Sequence, residues 1–158
     1  MTFVVPGEEN DGWKLVRGSI TFDGTAGKGA QGTVTLFDVT GQVEGAALFA
    51  YCATSLVGAA TIDRGLVGAT ANYQSAQIAD ATTWDAGMWD DKGATPFASA
   101  GDNIFVGDGF VPPVTMSADI ILTIGAANIT AGVLYYFLWW RPLSADGAVV
   151  LGPNMVAI

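Results

Sequence analysis

No histidine occurs among the 158 residues of this sequence. Histidine is the side chain that most often serves as a general base or a metal ligand near neutral pH. Its absence excludes Ser-His-Asp and Cys-His catalytic groups within the chain, and it excludes a zinc site built from cysteine and histidine. We therefore expect that the chain is not an enzyme, although carboxylate chemistry remains open as a catalytic route.

Charged residues are also scarce. They make up 13% of the sequence, against about 25% in ordinary soluble domains. With 51% hydrophobic residues, a monomer would expose apolar or weakly polar surface, and such surface usually marks a contact with another molecule. This composition favours a subunit of a larger assembly. The alternative is a compact β domain covered with Thr, Ser, Gly and Asn.

Basic residues are fewer than acidic ones. The chain has six Lys and Arg against fifteen Asp and Glu, for a net charge of -9, and the six bases are scattered. Nucleic-acid binding needs clustered bases that contact phosphates, so we expect no nucleic-acid partner. Copies of an acidic chain repel one another within a Debye length, about 8 Å at physiological salt. Assembly therefore requires apolar contacts at close range.

Cysteine and long apolar runs are nearly absent too. Cys52 is the single cysteine; its apolar surroundings predict a buried, unreactive thiol, compatible with a reducing cytoplasm. The longest apolar run, Ala131–Trp140, has ten residues, half of the roughly 20 that a membrane helix needs. The first residues lack the basic region and long apolar core of a signal peptide. We expect no membrane partner.

What the sequence does contain is typical of β structure. Val, Ile and Thr are abundant with Gly between them, whereas helix-favouring Glu, Lys and Gln are rare. We predict an all-β fold: a single-domain, jelly-roll-like β-sandwich of about eight strands, without βα alternation. Residues 1–13 are predicted to form an irregular N-terminal arm, because Pro6-Gly7 and the polar residues after it break regular structure. Residues 14–158 form the predicted sandwich domain.

The alternation of apolar and polar residues predicts the individual strands. We expect a short helix at Asn72–Ala81 and a long loop or edge excursion at 84–103. A hairpin turn at Gly125–Asn128 is predicted to join the two long strands on either side of it, and Val43–Ala53 is predicted to be buried on both faces. The predicted strands are Ser19–Asp23, Thr33–Thr40, Val43–Ala53, Thr61–Val67, Asn103–Val106, Met116–Ile124, Ile129–Arg141 and Ala148–Leu151.

The most distinctive segment is Trp139-Trp140-Arg141-Pro142-Leu143. Successive side chains of a strand point to opposite faces, so one tryptophan is expected to fill the core while the other faces a second layer or a neighbouring subunit. Aromatic residues and arginine are favoured at such interfaces. Because Tyr135, Phe137 and Trp139 share one face and Tyr136, Leu138 and Trp140 the other, the strand is predicted to be deeply covered.

Acidic residues beside tryptophans form the main candidate for chemistry. Asp85, Asp90 and Asp91 lie next to Trp84 and Trp89. Two carboxylates at a suitable separation could hydrolyse glycosides, and the aromatic rings could bind sugar. Aspartates of surface loops also stabilise turns without any chemistry. We expect no catalytic residue here.

Two further patterns do not match the motifs of known ligand-binding loops. Asp102 and Asp108 offer oxygen ligands for calcium, but their spacing does not match a calcium-loop motif. The glycine-rich segment Gly24–Gly32 contains Lys28, yet it lacks the G-K-[ST] ending of a phosphate loop and leads into a strand instead of a helix. A flexible connection between two strands is the better interpretation. We expect no metal and no cofactor.

Five segments are distinctive together: Ser19–Gly24, Gly32–Phe37, Asp119–Ile121, Asn128–Gly132 and Leu138–Gly147. The sequence resembles a group of small tailed-bacteriophage proteins, generally of unassigned function, that are encoded among virion structural genes. The resemblance spans residues 19–150 and is most specific in the closing L-W-x-R-P-L-S-x-D-G stretch. It implies a virion component and supplies no catalytic residue.

Taken with this resemblance, the composition leads to an expected role on the capsid surface. We expect a decoration, or cement, protein that binds the major capsid protein as a homotrimer, after a stage in the host cytoplasm during assembly. A tail or head-fibre subunit and a carbohydrate-binding module for the host surface are the alternatives. The expected contact residues are Phe3, Val4, Val5, Trp13, Trp84, Trp89, Trp140 and Arg141.

Overall fold

The computed structural model describes residues 12–79, 84–90, 97–98 and 114–158. These residues form β-strands, turns and loops, and no helix occurs among them. The all-β prediction is confirmed. The strands are β1 (Lys14–Phe22), β2 (Gly32–Thr40), β3 (Val43–Val57), β4 (Ala60–Leu66), β5 (Ala69–Ala79), β6 (Met88–Asp90), β7 (Phe97–Ala98), β8 (Val114–Met116), β9 (Ile120–Gly125), β10 (Ala131–Pro142), β11 (Ala148–Leu151) and β12 (Val156–Ala157).

The strands build two antiparallel sheets that pack face to face. The front sheet has the order β12-β1-β10-β3-β6-β7, with β8 paired to β3, and the back sheet has the order β11-β2-β9-β4-β5. The central orders β1-β10-β3-β6 and β2-β9-β4-β5 are those of an eight-stranded jelly roll. The predicted jelly-roll-like sandwich is therefore confirmed, and β7, β8, β11 and β12 are short additions to its edges.

Alternation of side chains produces the core between the sheets. In β10 each second residue from Gly132 to Trp140 is buried, and in β2 Val34 and Leu36 point inward as predicted. The largest fully buried side chains are Trp84, Arg64, Tyr136, Phe37, Ile20, Leu36, Leu56, Ile62, Ile120, Leu122, Ile129 and Leu134.

The predicted hairpin around Gly125–Asn128 is wrong. Strand β9 pairs with β2 and β4 in the back sheet, whereas β10 pairs with β1 and β3 in the front sheet. The connection between them crosses from one sheet to the other. Backbone groups on both sides hold this crossing: Ile129 N donates to Gly29 O, and Thr130 N donates to Val57 O, each at 2.7 Å.

Glycines make this crossing possible. A Cβ atom on Gly58, at φ +136°, would collide with the carbonyl oxygen of Asn128, and one on Gly29, at φ +115°, would collide with that of Ile129. Both φ values lie where side chains are strained, so only glycine allows the loops after β1 and β3 to approach the crossing segment this closely.

The predicted strand Met116–Ile124 divides into two. Its first part belongs to β8, which pairs with β3 in the front sheet, and its second part is β9 in the back sheet. Asp119 stabilises the point of division, because its carboxylate accepts a hydrogen bond from Val39 N at 2.8 Å and its carbonyl accepts one from Val67 N at 3.0 Å.

The predicted helix at Asn72–Ala81 is wrong as well, because β5 covers most of this range. A two-residue turn, Val67–Gly68, joins β4 to β5, and Gly68 adopts φ +88°, which suits tight hairpins. Pairing with β4 satisfies the backbone of β5, so tertiary structure overrides the local helical signal.

Other boundaries differ in smaller ways. Strand β1 begins at Lys14, before the predicted Ser19. Val43–Ala53 lies in β3, but only one of its faces is fully buried; Phe49 and Tyr51 on the other face are half-buried. The predicted edge excursion holds for β6 and β7. The predicted strand Asn103–Val106 and residues 1–11 of the predicted arm lie outside the described residues.

Candidate interaction surface

The outer face of the front sheet is lined with aromatic side chains. Strand β10 directs its even-numbered residues into the core, so Tyr135, Phe137 and Trp139 point outward. The pairing register places Tyr135 opposite Tyr51, and Phe137 opposite Phe49, on β3. Trp89 on β6 pairs in turn with Tyr51. We call this surface the aromatic face: Phe49, Tyr51, Trp89, Tyr135, Phe137 and Trp139.

The rings of the aromatic face contact one another. The ring centroids of Tyr51 and Trp89 lie 4.7 Å apart, and those of Tyr51 and Tyr135 lie 5.9 Å apart. Trp89 and Phe137 are also 5.9 Å apart. The interplanar angles of 44°, 50° and 32° describe tilted packing, which aromatic pairs prefer over a face-to-face arrangement. The side chains therefore brace one another.

Exposure increases toward the end of β10. The four rings that contact one another are half-buried, whereas Trp139 is 39% exposed and its cross-strand neighbour Leu15 is 43% exposed. The prediction that β10 is deeply covered on both faces is wrong for the described residues, because its outward side chains retain access to solvent. Large exposed apolar residues next to aromatic ones are typical of contact surfaces.

The predicted contact residues Trp13 and Arg141 come together at the end of this face. The guanidinium carbon of Arg141 lies 5.0 Å from the ring centre of Trp13, within the range of a cation–π contact. Arg141 Nε also donates to a carboxylate oxygen of Glu44, its cross-strand neighbour on β3. Arg141 therefore contacts both Trp13 and Glu44.

The two tryptophans Trp139 and Trp140 divide as expected, one outward and one inward. Trp140 is 6% exposed and belongs to the core, while Lys14 Nζ lies 5.0 Å from its ring centre at the edge of the sheet. The tryptophan of this pair that is available to a partner is therefore Trp139, which was not among the expected contact residues. The signal that could have found it is its shared face with Tyr135 and Phe137.

Trp84 lies in the core. Its side chain is 0% exposed, so its ring cannot stack on a sugar or contact a partner, in contrast to the expectation for this residue. Its carbonyl oxygen accepts hydrogen bonds from Leu56 N at 3.0 Å and Cys52 Sγ at 3.3 Å. These bonds place the loop before β6 against β3. Phe3, Val4 and Val5 lie outside the described residues.

The charge on the aromatic face differs from the charge of the whole chain. Arg17 on β1 is exposed and pairs across the strands with Phe137. Among the described front-sheet residues that point outward, Glu44 supplies the one carboxylate, and Arg141 neutralises it. At the rim, Asp85 is bound by Ser55 Oγ. Among the described residues, Arg17 is therefore the basic group of this face that no carboxylate neutralises.

Asp85, the described acid next to Trp84, does not have the raised pKa of a general acid. A hydrogen bond from Ser55 lowers the pKa of Asp85 below its ordinary value of 3.8, whereas a general acid requires a raised pKa. Asp91 and the side chain of Asp90 lie outside the described part. Burial raises the pKa of Cys52 to about 11, so its thiol stays protonated at neutral pH, which agrees with the predicted buried, unreactive cysteine.

The glycine-rich connection has a structural role. Lys28 O accepts hydrogen bonds from Asp23 N at 2.8 Å and Gly24 N at 3.0 Å, and Asn128 Oδ1 accepts one from Gln31 N at 3.0 Å. These bonds form a compact turn between β1 and β2. Within residues 12–79, 84–90, 97–98 and 114–158, no group of three metal-ligating side chains occurs; Asp102 and Asp108 lie outside these ranges.

Comparisons with known proteins do not assign the chain to a family. No protein-family model matches the sequence, and no curated protein matches it. A solved structure that is similar is a chain of the Cyanophage Pam1 capsid asymmetric unit, with 18% identity and a TM-score of 0.42. The match covers 89% of this chain and 93% of that chain. The described residues contain no helix that is long and apolar enough to span a membrane.

Proposed function

We propose that this chain is a structural component of a tailed-phage virion and that it acts as a capsid decoration protein. The observation that carries the proposal is the aromatic face, a braced apolar surface on a chain with 13% charged residues. The resemblance of Leu138–Gly147 to phage virion proteins supports the phage setting. Jelly rolls occur in viral capsid and lectin domains, although a fold alone does not define a function.

The proposed mechanism is burial of apolar surface at junctions between capsid subunits. Aromatic and arginine side chains at the centre of an interface carry most of its binding energy, and a standard interface buries about 800 Å² on each partner. Attachment at such junctions would hold neighbouring subunits together against the pressure of packaged DNA. The partner is the major capsid protein, the chain attaches as a homotrimer, and no catalytic step is involved.

The test uses heads that were assembled without this chain. Purified protein is added to them, and bound protein is measured by cosedimentation and located by cryo-electron microscopy. We expect saturable binding at positions that follow the lattice symmetry, with three copies at each site. Absence of binding to heads and of density on them would overturn the proposed function.

The N-terminal arm is proposed to add a second contact. Phe3, Val4 and Val5 are apolar and precede a polar stretch, so they suit attachment to a neighbouring subunit. Deletion of residues 1–12 is expected to leave a folded sandwich that binds heads more weakly. Equal binding by the truncated and the full-length protein would contradict this role.

Two other functions remain as alternatives. A tail or head-fibre subunit would be missing from heads that lack tails, whereas a decoration protein would be present on them. A carbohydrate-binding module is favoured by Tyr51 and Trp89, whose rings lie on the outer face. Binding on a glycan array that is lost in Trp89→Ala, but kept in a variant of the back sheet such as Thr33→Ala, would support the module.

A further inference from the structure

We propose that the aromatic face binds an acidic protein surface, with Trp139 and Leu15 as apolar anchors and Arg17 as the charged contact. This inference rests on the proposed function, because the acidic surface would belong to the capsid lattice. It specifies which face of the sandwich binds the partner and which chemical groups the partner presents.

The distribution of charge is the first support. Two of the six basic residues, Arg17 and Arg141, lie on the outer side of the front sheet, whereas Lys14 packs on Trp140 at the inner side. The chain has fifteen acidic residues, yet Glu44 and the rim residue Asp85 are the acids at this face among those described, and Arg141 and Ser55 bind them. A partner with carboxylates would complement this surface, and a basic partner would be repelled.

The state of Arg17 is the second support. Its side chain is exposed, and no carboxylate contacts it among the described residues, in contrast to Arg141. It lies in the middle of β1, directly beside Phe137 and two residues from Leu15. An arginine that is next to aromatic side chains and has no carboxylate partner among the described residues is suited to pair with a carboxylate across an interface.

The packing of the rings favours a protein over a sugar. Sugar binding uses an open ring face on which the sugar ring can lie, but the tilted contacts of Tyr51, Trp89 and Tyr135 turn these rings toward one another. A braced cluster loses little side-chain freedom when a protein packs on it, which strengthens such an interface.

Charge also disfavours a two-fold pairing of this face with itself. Such an interface brings the same patch of both copies together. It would place Arg17 of both copies in one interface, with no unbound carboxylate from the described residues to neutralise them. Like charges across an interface are unfavourable. The partner is therefore expected to be a different surface.

The test compares four variants in the head-binding assay. Arg17→Glu is matched by Lys28→Glu, which makes the same charge change in the loop between β1 and β2. Trp139→Ser is matched by Val150→Ser, which removes an apolar residue that is 57% exposed at the back sheet edge. All four positions are exposed or partly exposed, and circular dichroism would verify that each variant folds.

We expect Arg17→Glu and Trp139→Ser each to weaken binding by about tenfold or more, whereas Lys28→Glu and Val150→Ser bind within about twofold of wild type. Higher salt should weaken the binding of wild type more than that of Arg17→Gln, because ionic contacts are screened.

The outcomes separate this inference from the proposed function. If wild type binds heads and both aromatic-face variants bind equally well, the function stands and the inference is overturned. Self-association in solution that Trp139→Ser abolishes would identify a second copy as the occupant, and glycan binding abolished by Trp139→Ser would identify a sugar; either result overturns the inference. If wild type does not bind heads, the proposed function itself is overturned.

Discussion

The two outer faces of the jelly roll are built by the same alternation but carry different side chains. The aromatic face of the front sheet has rings on three strands. The back sheet carries a row across β2, β9 and β4, in which Thr33 pairs with Thr123 and Thr123 pairs with Asp63. We call this second surface the threonine face. Thr33 is exposed, and Thr123 and Asp63 are half-buried.

The composition of this charge-poor chain allowed two interpretations: a subunit with a contact surface, or a compact domain covered with small polar residues. The two faces correspond to these two interpretations. The threonine face is closer to the surface of a compact polar domain, because it presents the exposed Thr33 and the half-buried Asp63. The aromatic face has the composition of a contact surface. The low charge content of the sequence is therefore an average over two faces that differ in chemistry.

The largest expected effect on stability distinguishes the inner face of β10 from its outer face. Trp140→Ala should lower the free energy of unfolding by about 3–5 kcal/mol, because it removes a buried ring from the core. Trp139→Ala, one residue earlier, should cost about 1 kcal/mol or less, because the side chain is partly exposed. Denaturant unfolding of both variants measures the difference, and equal losses would show that Trp139 belongs to the core.

The next effect concerns the crossing between the sheets. Gly58→Ala should cost about 1–3 kcal/mol, because its Cβ atom would meet the carbonyl of Asn128 in a strained backbone conformation. Gly68→Ala is the control: it also has a positive φ, but nothing lies within 4 Å of its Cβ position. Thermal unfolding should show the larger loss for Gly58→Ala; an equal loss would mean that backbone conformation alone accounts for the cost.

A smaller effect is expected at the end of the aromatic face. Arg141 and Glu44 are 32% and 17% exposed, so solvent weakens their ion pair. A double-mutant cycle with Arg141→Met and Glu44→Gln should give a coupling energy below about 1 kcal/mol. The fluorescence of Trp13 should change with Arg141→Met and stay nearly constant with Glu44→Gln. A change of equal size in both variants would contradict the contact between Arg141 and Trp13.

The smallest expected effect is a pH dependence of stability, which arises from hydrogen bonds to three aspartates outside the strands. Hydrogen bonds from Thr25, Ser55 and Ser144 lower the pKa of Asp23, Asp85 and Asp146, respectively, below 3.8. Because each folded pKa lies below the unfolded value, the stabilisation is present above that value and is lost as the pH falls through the folded pKa.

The melting temperature should therefore decrease as the pH is lowered below about 4. The variant in which all three aspartates are replaced by asparagine should show a shallower decrease, although its stability at neutral pH is lower. An identical acid-induced decrease in the variant and the wild type would assign the effect to other carboxylates.

Periodicity in the sequence was sufficient to predict features that depend on one strand at a time. The inward positions of Val34 and Leu36 and the opposite directions of Trp139 and Trp140 follow from alternation alone, whereas the burial of Phe37 depends on a register shift in β2. The partner of each strand does not, because a run of alternating residues fits either sheet. That is why the strands on either side of Gly125–Asn128 were predicted to pair with each other.

The candidate contact surface was also only partly predictable, because it depends on which strands pair. Tyr135, Phe137 and Trp139 could be assigned to one face from their spacing, but Tyr51 and Trp89 join them only through the register of β3 and β6. Trp84 was misjudged because no local pattern marks a loop residue as buried. Its position depends on hydrogen bonds from Leu56 and Cys52, which are close to it in space and distant in sequence.

Strand β10 is paired along most of its length with β1 on one side and β3 on the other. A pull along the strand direction therefore loads many hydrogen bonds at once. A pull across the sheet reaches them one after another, starting at the two-residue β12. The sandwich has a stiff axis and a weak one, so the direction of a load determines how much tension it can bear.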